Sequence, residues 1–281
     1  MKSLILSAVV LSAVYALLMA FVYFNQSRLI YYPQLPSRVV SSTPEEMGLE
    51  YEPVRITTED GVVLDAWYVP HVNENAAAPE WVMVVFHGNA GNIGHRLDTL
   101  RIFNTLGFSS LIFDYRGYGR STGYPTEAGT YRDAEAVWEY LTRERGVPSG
   151  RILYFGRSLG AAIAANLALR HPPAALILES AFTSVPDLAA ELYPLLPARR
   201  MSRFQYNTLA ALSEITRPVL IIHSRDDEIV PFSHGRRLYE AAPGAKRFLE
   251  IKGGHNDGFL LSGEHYLQGV RAFAEEVTGP R

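Results

Sequence analysis

The sequence predicts an α/β protein with a mostly parallel, eight-stranded sheet, helices on both faces of that sheet and a transmembrane helix at the N-terminus. Three observations support this prediction. A long apolar run without charged residues lies within the first 28 residues. From residue 49 onward, strand-like runs alternate with helical stretches, which is typical of βαβ units and a parallel sheet. Several of these runs are apolar throughout, as strands covered on both faces are.

The N-terminal apolar run covers residues 4–24, and no charged residue lies between Lys2 and Arg28. At ~1.5 Å per residue, a helix of this length spans the ~30 Å hydrocarbon core of a bilayer. A cleaved signal peptide is the main alternative, but its apolar core is usually only ~7–15 residues long, and AFVYFNQS offers no small-x-small cleavage site. A buried core helix is disfavoured, because globular helices are rarely apolar all round.

We therefore predict an uncleaved, single-pass membrane anchor at residues 1–28 and one globular domain at residues 29–281. Tyr23, Tyr31 and Tyr32 are expected at the membrane interface, where tyrosine is enriched. The side of the membrane on which the domain lies stays open, because the positive charges flanking the two ends of the run nearly balance.

Composition narrows the function classes. The chain has 281 residues and a formal net charge of −3 without any basic run, so a nucleic-acid partner is not expected. There is no cysteine, which excludes disulfides, thiolate metal sites, a cysteine nucleophile and lipid attachment through sulfur. The redox compartment and the oligomeric state stay open.

The predicted elements follow in chain order. Strands 50–56 and 62–69 flank a turn at Glu59–Gly61 and predict an antiparallel hairpin. Six further strands are predicted at 81–87, 110–115, 151–155, 175–180, 218–224 and 247–251. Helices are predicted at 93–106, around 134–141, at 161–169, at 233–242 and near the C-terminus, from apolar residues at helical spacing. Residues 182–215 break this rhythm and predict a lid-like helical excursion.

The pentapeptide GRSLG (156–160) places Ser158 directly after a central strand and before a helix that is apolar on every side. In parallel sheets, ligands gather at the carboxyl ends of strands. A sharp strand-to-helix turn strains the serine backbone, and flanking glycines remove the side chains that would clash. Alone, GRSLG is better explained as a glycine-flanked turn without chemistry, so partners for the serine must be found.

A reactive serine needs a base, and the base needs an orienting carboxylate. His255 in GGHND follows the strand 247–251, whereas His234 and His265 fall within predicted helices. The acid candidates are the adjacent Asp226 and Asp227 after strand 218–224, which the residues alone do not distinguish.

Glu179, at the end of an earlier strand, is a weaker acid candidate. The developing oxyanion also needs preorganised donors. We expect the backbone amide of Leu159 to be one donor and that of Asn89, in HGNAGN (87–92), to be the other, with Ala90 a close second.

Taken together, these motifs resemble the α/β-hydrolase superfamily, and more closely its membrane-anchored branch, which includes protein depalmitoylases and uncharacterised microbial relatives. The matching pieces run in family order over residues 27–260: SRLIYYP, HGNAGN, DYRGYGRSTGYPTEAG, GRSLG, PVLIIHSRDDEIVPF and GGHND. The family pattern D-x-x-V-P falls on Asp227, Val230 and Pro231, which favours Asp227 as the acid. One departure is Ser224, where relatives more often carry glycine.

The resemblance implies an α/β-hydrolase fold, a chain order of nucleophile, acid and base, and a Ser158–Asp227–His255 triad that needs no metal or organic cofactor. It also implies that Asp114, Arg116 and Ser121 brace the loop beside the site. The expected activity is hydrolysis of carboxylic esters or thioesters through an acyl-enzyme, with a small-molecule, lipid-like or acylated-protein substrate. A catalytically silent anchored scaffold and a serine peptidase or amidase are the alternatives.

Overall fold

The computed structural model describes residues 1–71 and 80–279. Its first element, α1 (Lys2–Ile30), is one continuous helix of 29 residues that is long and apolar enough to cross a membrane. Its side chains are exposed or half-buried, except that of Gln26 near its C-terminal end, which is buried. The helix is thus a candidate single-pass anchor, and it extends two residues beyond the predicted boundary at 28.

The predicted eight-stranded, mostly parallel sheet is confirmed. Its spatial order is β1-β2-β4-β3-β5-β6-β7-β8. Strand β2 runs antiparallel to both of its neighbours and forms the expected hairpin with β1, while every other pair is parallel. The strands are β1 (Glu52–Thr57), β2 (Val63–Val69), β3 (Val82–Phe86), β4 (Ser109–Phe113), β5 (Ile152–Arg157), β6 (Leu176–Glu179), β7 (Val219–Ser224) and β8 (Lys246–Ile251).

Nine α-helices follow α1 in the described residues. They are α2 (Leu97–Thr105), α3 (Glu127–Glu139), α4 (Leu159–Arg170), α5 (Val185–Leu192), α6 (Ala198–Met201), α7 (Thr208–Glu214), α8 (Phe232–Ala241), α9 (Gly258–Leu261) and α10 (Gly263–Thr278). The single helix predicted at 93–106 is wrong in its first turn. Residues Ile93–His95 form a separate 3₁₀ turn, capped by the Asn92 side chain, and α2 begins only after Arg96.

Helices cover both faces of the sheet, as the apolar strands predicted. Alternate residues of β3 belong to two separate core clusters, with Val84 in one and Val85 in the other. Helices α3, α4 and α7 contribute to the first cluster, and α2 and α10 contribute to the second. Because β3 and β5 to β8 are parallel, the loops at their carboxyl ends meet at one edge of the sheet.

The excursion between β6 and β7 carries α5, α6 and α7. Two of its aromatic side chains, Phe204 and Tyr206, are buried in the core. They enclose Tyr31, whose hydroxyl oxygen lies 2.7 Å from that of Tyr206 and whose ring packs edge-on against Phe204. The interfacial position predicted for Tyr31 is therefore wrong: Tyr31 closes the core between the end of α1 and the excursion.

Candidate active site

Ser158 occupies the turn between β5 and α4, with φ 54° and ψ −118°. A non-glycine residue in this region of backbone space is strained and needs support from its surroundings. The amide of Ser158 donates to the Glu179 carbonyl at 2.9 Å, and its own carbonyl accepts from the Ala161 amide at 3.0 Å. The turn is thus fixed from both β6 and α4.

The two glycines of GRSLG are required by close packing. A Cβ on Gly156 would lie 2.5 Å from the Cα of Ala161, and a Cβ on Gly160 would overlap the carbonyl oxygen of Phe86. The helix α4 therefore begins in direct contact with β3, and the serine is presented at the edge where the strands end.

His255 contacts Ser158 directly. The Nε2 atom of His255 lies 3.0 Å from the Ser158 Oγ, within hydrogen-bond distance. The imidazole is buried, and its backbone amide donates to the Glu228 carboxylate at 2.9 Å. The loop that carries His255 turns at Gly253, whose φ of +93° suits glycine.

Asp227 lies on the other side of the imidazole. Its Oδ1 and Oδ2 atoms are 3.0 and 2.9 Å from His255 Nδ1. Burial raises the pKa of the Asp227 carboxyl, but the hydrogen bond and charge of His255, with the amides of Val230 and Ile229, outweigh burial and hold that pKa below its ordinary value. An ionised Asp227 makes His255 Nδ1 the proton donor, so Nε2 is free to accept from the serine hydroxyl.

The other candidates lie apart from this cluster. Asp226 is exposed. Glu179 is buried, 2.7 Å from the Arg157 guanidinium, and its carboxylate also accepts a hydrogen bond from the Tyr266 hydroxyl.

The two alternative histidines also lie elsewhere. His234 is buried between Thr183 and Glu191. His265 is exposed, and its Nε2 donates to the Glu250 carbonyl. Neither of these two histidines contacts Ser158.

The loop after β3 lies beside the serine. A Cβ on Gly88 would be 3.7 Å from the Cβ of Ser158. The carbonyl of Asn89 accepts from the Tyr32 amide at 3.0 Å and from the Tyr118 hydroxyl at 2.9 Å, and the Asn89 side chain donates to Ile30. This loop is thus held on several sides.

In the same loop after β3, the carbonyl of Ala90 accepts a hydrogen bond from the guanidinium of Arg96. Leu159 is the first residue of α4, where backbone amides have no partner within the helix. The oxyanion roles of the Leu159 amide and of the Asn89 or Ala90 amide stay predictions.

The comparisons with known proteins agree with this architecture. The profile of the family described as serine aminopeptidase, S33, matches residues 77–210. The alpha/beta hydrolase domain-containing protein WAV2 of Arabidopsis thaliana is 36% identical, over 94% of this chain and 90% of WAV2. This chain belongs to the α/β-hydrolase superfamily. A membrane protein of Saccharomyces cerevisiae, described as uncharacterized, is a further relative of this hydrolase, 33% identical over 92% of this chain and 91% of that protein.

One further relative and one solved structure are similar to this chain. The lysophosphatidylserine lipase ABHD12 of Mus musculus is 30% identical to this hydrolase, over 81% of this chain and 66% of the lipase. Among solved structures, the Pyrococcus furiosus esterase Pf2001 matches with a TM-score of 0.71 and 21% identity, covering 85% of this chain and 96% of the esterase. At that identity the esterase shows the fold of this hydrolase alone.

Sequence reasoning missed two residues that hold the acid and histidine loops of the hydrolase. The Nε2 atom of His223, in β7, donates to the Val230 carbonyl at 2.9 Å and so closes the loop that contains Asp227. Ser224 donates through its hydroxyl to the Gly253 carbonyl, which ties this loop to the one carrying His255. The position of both polar residues at the end of an apolar strand is the signal that could have identified them.

The bracing expected of the DYRGYG segment is present for two of its three residues. Asp114 accepts from the Ile93 amide at 3.0 Å, and Ser121 donates to the Asp114 carbonyl at 2.7 Å, so the segment following HGNAGN is fixed. Arg116 acts elsewhere, because its guanidinium pairs with Asp133 of α3 and Asp60 of the β1–β2 turn. Within residues 1–71 and 80–279, no group of three or more His, Asp or Glu side chains could hold a metal ion.

Proposed function

We propose that this protein is a serine hydrolase that cleaves carboxylic ester or thioester bonds through an acyl-enzyme intermediate. The observation that carries the proposal is the chain of contacts from Ser158 Oγ to His255 Nε2 at 3.0 Å and from His255 Nδ1 to Asp227 at 2.9 Å. It occurs at a strained strand-to-helix turn on the edge of the sheet where ligands bind in this fold class.

In the first half-reaction, His255 Nε2 takes the hydroxyl proton as Ser158 Oγ bonds to the acyl carbon of the substrate. The carbonyl π electrons move to its oxygen, giving a tetrahedral oxyanion, and Asp227 stabilises the imidazolium. As the oxyanion collapses, the bond to the leaving group breaks, and His255 returns its proton to the departing alkoxide or thiolate. The acyl group stays on Ser158.

In the second half-reaction, His255 removes a proton from water as the water oxygen attacks the acyl-enzyme carbonyl. Collapse of this intermediate releases the carboxylic acid and returns the proton to Ser158. We assign oxyanion stabilisation in both steps to the amide of Leu159 and to that of Asn89, with Ala90 as the alternative to Asn89.

We propose hydrophobic acyl esters as the substrate class, with α1 holding the enzyme at a membrane. The apolar length of α1 and the lysophosphatidylserine lipase among the relatives support this assignment. An acylated protein would offer the same acyl chemistry as a thioester. The family described as serine aminopeptidase favours peptide bonds as the second candidate.

The first experiment labels the full-length protein in detergent with a fluorophosphonate probe, which reacts only with an activated serine. We expect the wild type to be labelled and Ser158→Ala to be unlabelled with an unchanged unfolding temperature. Ser180→Ala is the matched control, because Ser180 follows β6, is buried and, like Ser158, has a positive φ, 48°. An unlabelled, folded wild type would support the scaffold alternative instead.

The second experiment compares p-nitrophenyl esters of increasing acyl length with a palmitoyl thioester and amino-acid p-nitroanilides. Preference for long chains supports the lipid-like substrate class, while preference for acetate contradicts it. Faster turnover of the anilides than of every ester would support the peptidase candidate.

A further inference from the structure

The segment between α5 and α6 exposes an apolar surface. Residues 192–197, LYPLLP, contain no charge, and we call them the apolar ridge. Leu195 is 85% exposed and Tyr193 is 58% exposed, with Leu192 beside them. Prolines at 194 and 197 keep the ridge from continuing α5 or starting α6 early.

The apolar ridge lies against the middle of the candidate anchor rather than at its end. The Tyr15 hydroxyl of α1 donates to the Leu195 carbonyl at 2.9 Å. Further along, the Gln26 side chain donates to the Met201 carbonyl at 2.8 Å and accepts from the Arg203 amide at 2.7 Å. The segment from Leu195 to Arg203 thus follows α1 from Tyr15 to Gln26, which is ~16 Å along the helix axis.

This distance along α1 determines how deep the apolar ridge would lie in a bilayer. The hydrocarbon core is ~30 Å thick, so ~16 Å is about the thickness of one leaflet. Arg203, at the far end of the segment, lies toward the C-terminal end of α1, because its guanidinium is 5.6 Å from the Tyr23 ring. Arg199 pairs with Asp187 of α5. The uncharged ridge lies toward the middle of the apolar run of α1.

Most backbone amides of this segment are either absent or paired, with that of Leu195 as an exception. Unsatisfied amides are costly in lipid, so a non-helical segment there must pair its own polar groups. Pro194 and Pro197 have no amide, and the Leu195 carbonyl is taken by Tyr15. The amides that donate to carbonyls of residues 189–198 are those of Tyr193, Leu196, Ala198, Arg200, Met201 and Ser202.

We propose that the apolar ridge inserts into one leaflet of the bilayer beside α1, so that the hydrolase domain contacts lipid through a second element besides its anchor. The proposal rests on the membrane placement of α1 put forward above. The ridge is joined to the candidate site by α5, which is ~12 Å long and starts shortly after Glu179, the residue whose carbonyl holds Ser158. Insertion therefore brings the edge of the site to the lipid surface.

The absence of cysteine from the chain makes the test direct, because each introduced thiol is the only one present. Leu195→Cys and, separately, Tyr193→Cys are labelled with the environment-sensitive dye NBD. The labelled, full-length proteins are placed in vesicles of phosphatidylcholine and phosphatidylglycerol, with or without phospholipids carrying a mid-chain nitroxide quencher. Leu11→Cys reports on α1 at a comparable depth, and Ser149→Cys, at the opposite end of β5, reports on water.

We expect quenching of both ridge probes to within about twofold of the Leu11 probe, because probes at similar depth meet the same quencher density. The Ser149 probe should be unquenched. Quenching at Leu11 without quenching at either ridge position overturns the insertion and leaves the anchor standing. Absence of quenching at Leu11 as well overturns the placement of α1 and the insertion together. Fluorophosphonate labelling of each variant reports separately on the proposed catalytic function.

Discussion

The side-chain amide of Asn89 donates a hydrogen bond of 2.9 Å to the carbonyl oxygen of Ile30, the last residue of α1. The same loop accepts from the Tyr32 amide through the Asn89 carbonyl. The end of the candidate anchor is therefore built into the loop that lies beside Ser158. Helix α1 is more than a tether, because its C-terminal residues help to position a loop to which we assign an oxyanion donor.

The first prediction tests this coupling with Asn89→Ala, which keeps the backbone amide but removes its lateral support. A neutral hydrogen bond contributes about 1 kcal/mol, so a fall in kcat of about fivefold is expected. A positioning effect on the transition state lowers kcat and kcat/KM equally. Asn104→Ala is the control, because Asn104 makes a similar bond to the Pro70 carbonyl away from the site. A change confined to KM would contradict the positioning role.

The second prediction uses the two adjacent aspartates as a matched pair. Asp227→Asn removes the acceptor that fixes the His255 tautomer, and a loss in kcat of about 10⁴ at neutral pH is expected. Asp226→Asn should leave kcat unchanged, because Asp226 is exposed and its carboxylate is not part of the cluster. Steady-state hydrolysis of one p-nitrophenyl ester measures both. Equal losses of kcat in the two variants would contradict the assignment of Asp227 as the acid that orients His255.

The sequence predicted those parts of the molecule that local patterns determine. Apolar strands identified the eight-stranded sheet, and GRSLG identified the turn at Ser158. Local patterns did not separate Asp226 from Asp227, because their burial depends on how the loop folds back onto His255. They also misplaced Tyr31, whose burial is created by Tyr206, 175 residues further along the chain. Contacts of that separation leave no periodic trace in the sequence.

The third prediction concerns packing beneath the nucleophile. Gly160→Ala places a methyl group onto the carbonyl oxygen of Phe86, so β3 and α4 must separate. Overpacking of this kind typically costs about 1–3 kcal/mol in the free energy of unfolding, and the displaced turn should also lose fluorophosphonate labelling. Gly150→Ala, at the other end of β5, is the control, because no atom outside the adjacent residues lies within 4 Å of its Cβ position. Normal stability of Gly160→Ala would argue against the close contact described.

The fourth prediction concerns the pH dependence of stability at His223. Burial lowers the pKa of His223 below its ordinary value of 6.5, and the Val230 carbonyl and Asp227 offset this only in part. His223 therefore binds a proton more readily in the unfolded chain than in the native state. The contribution of a neutral His223 is present above about pH 6.5 and is lost as the pH falls toward the lower native pKa.

His223→Gln tests this linkage, because its amide can still donate to the Val230 carbonyl without titrating. Between about pH 7.5 and pH 5.5, we expect the wild type to lose more unfolding free energy than the variant. Denaturant unfolding in detergent at the two pH values measures the difference. His265→Gln should behave as the wild type, since His265 bonds a carbonyl through the same ring nitrogen but is exposed. Equal pH dependence in wild type and His223→Gln would contradict this prediction. It would show that His223 has the same pKa in the native and the unfolded chain, so its protonation would not affect stability.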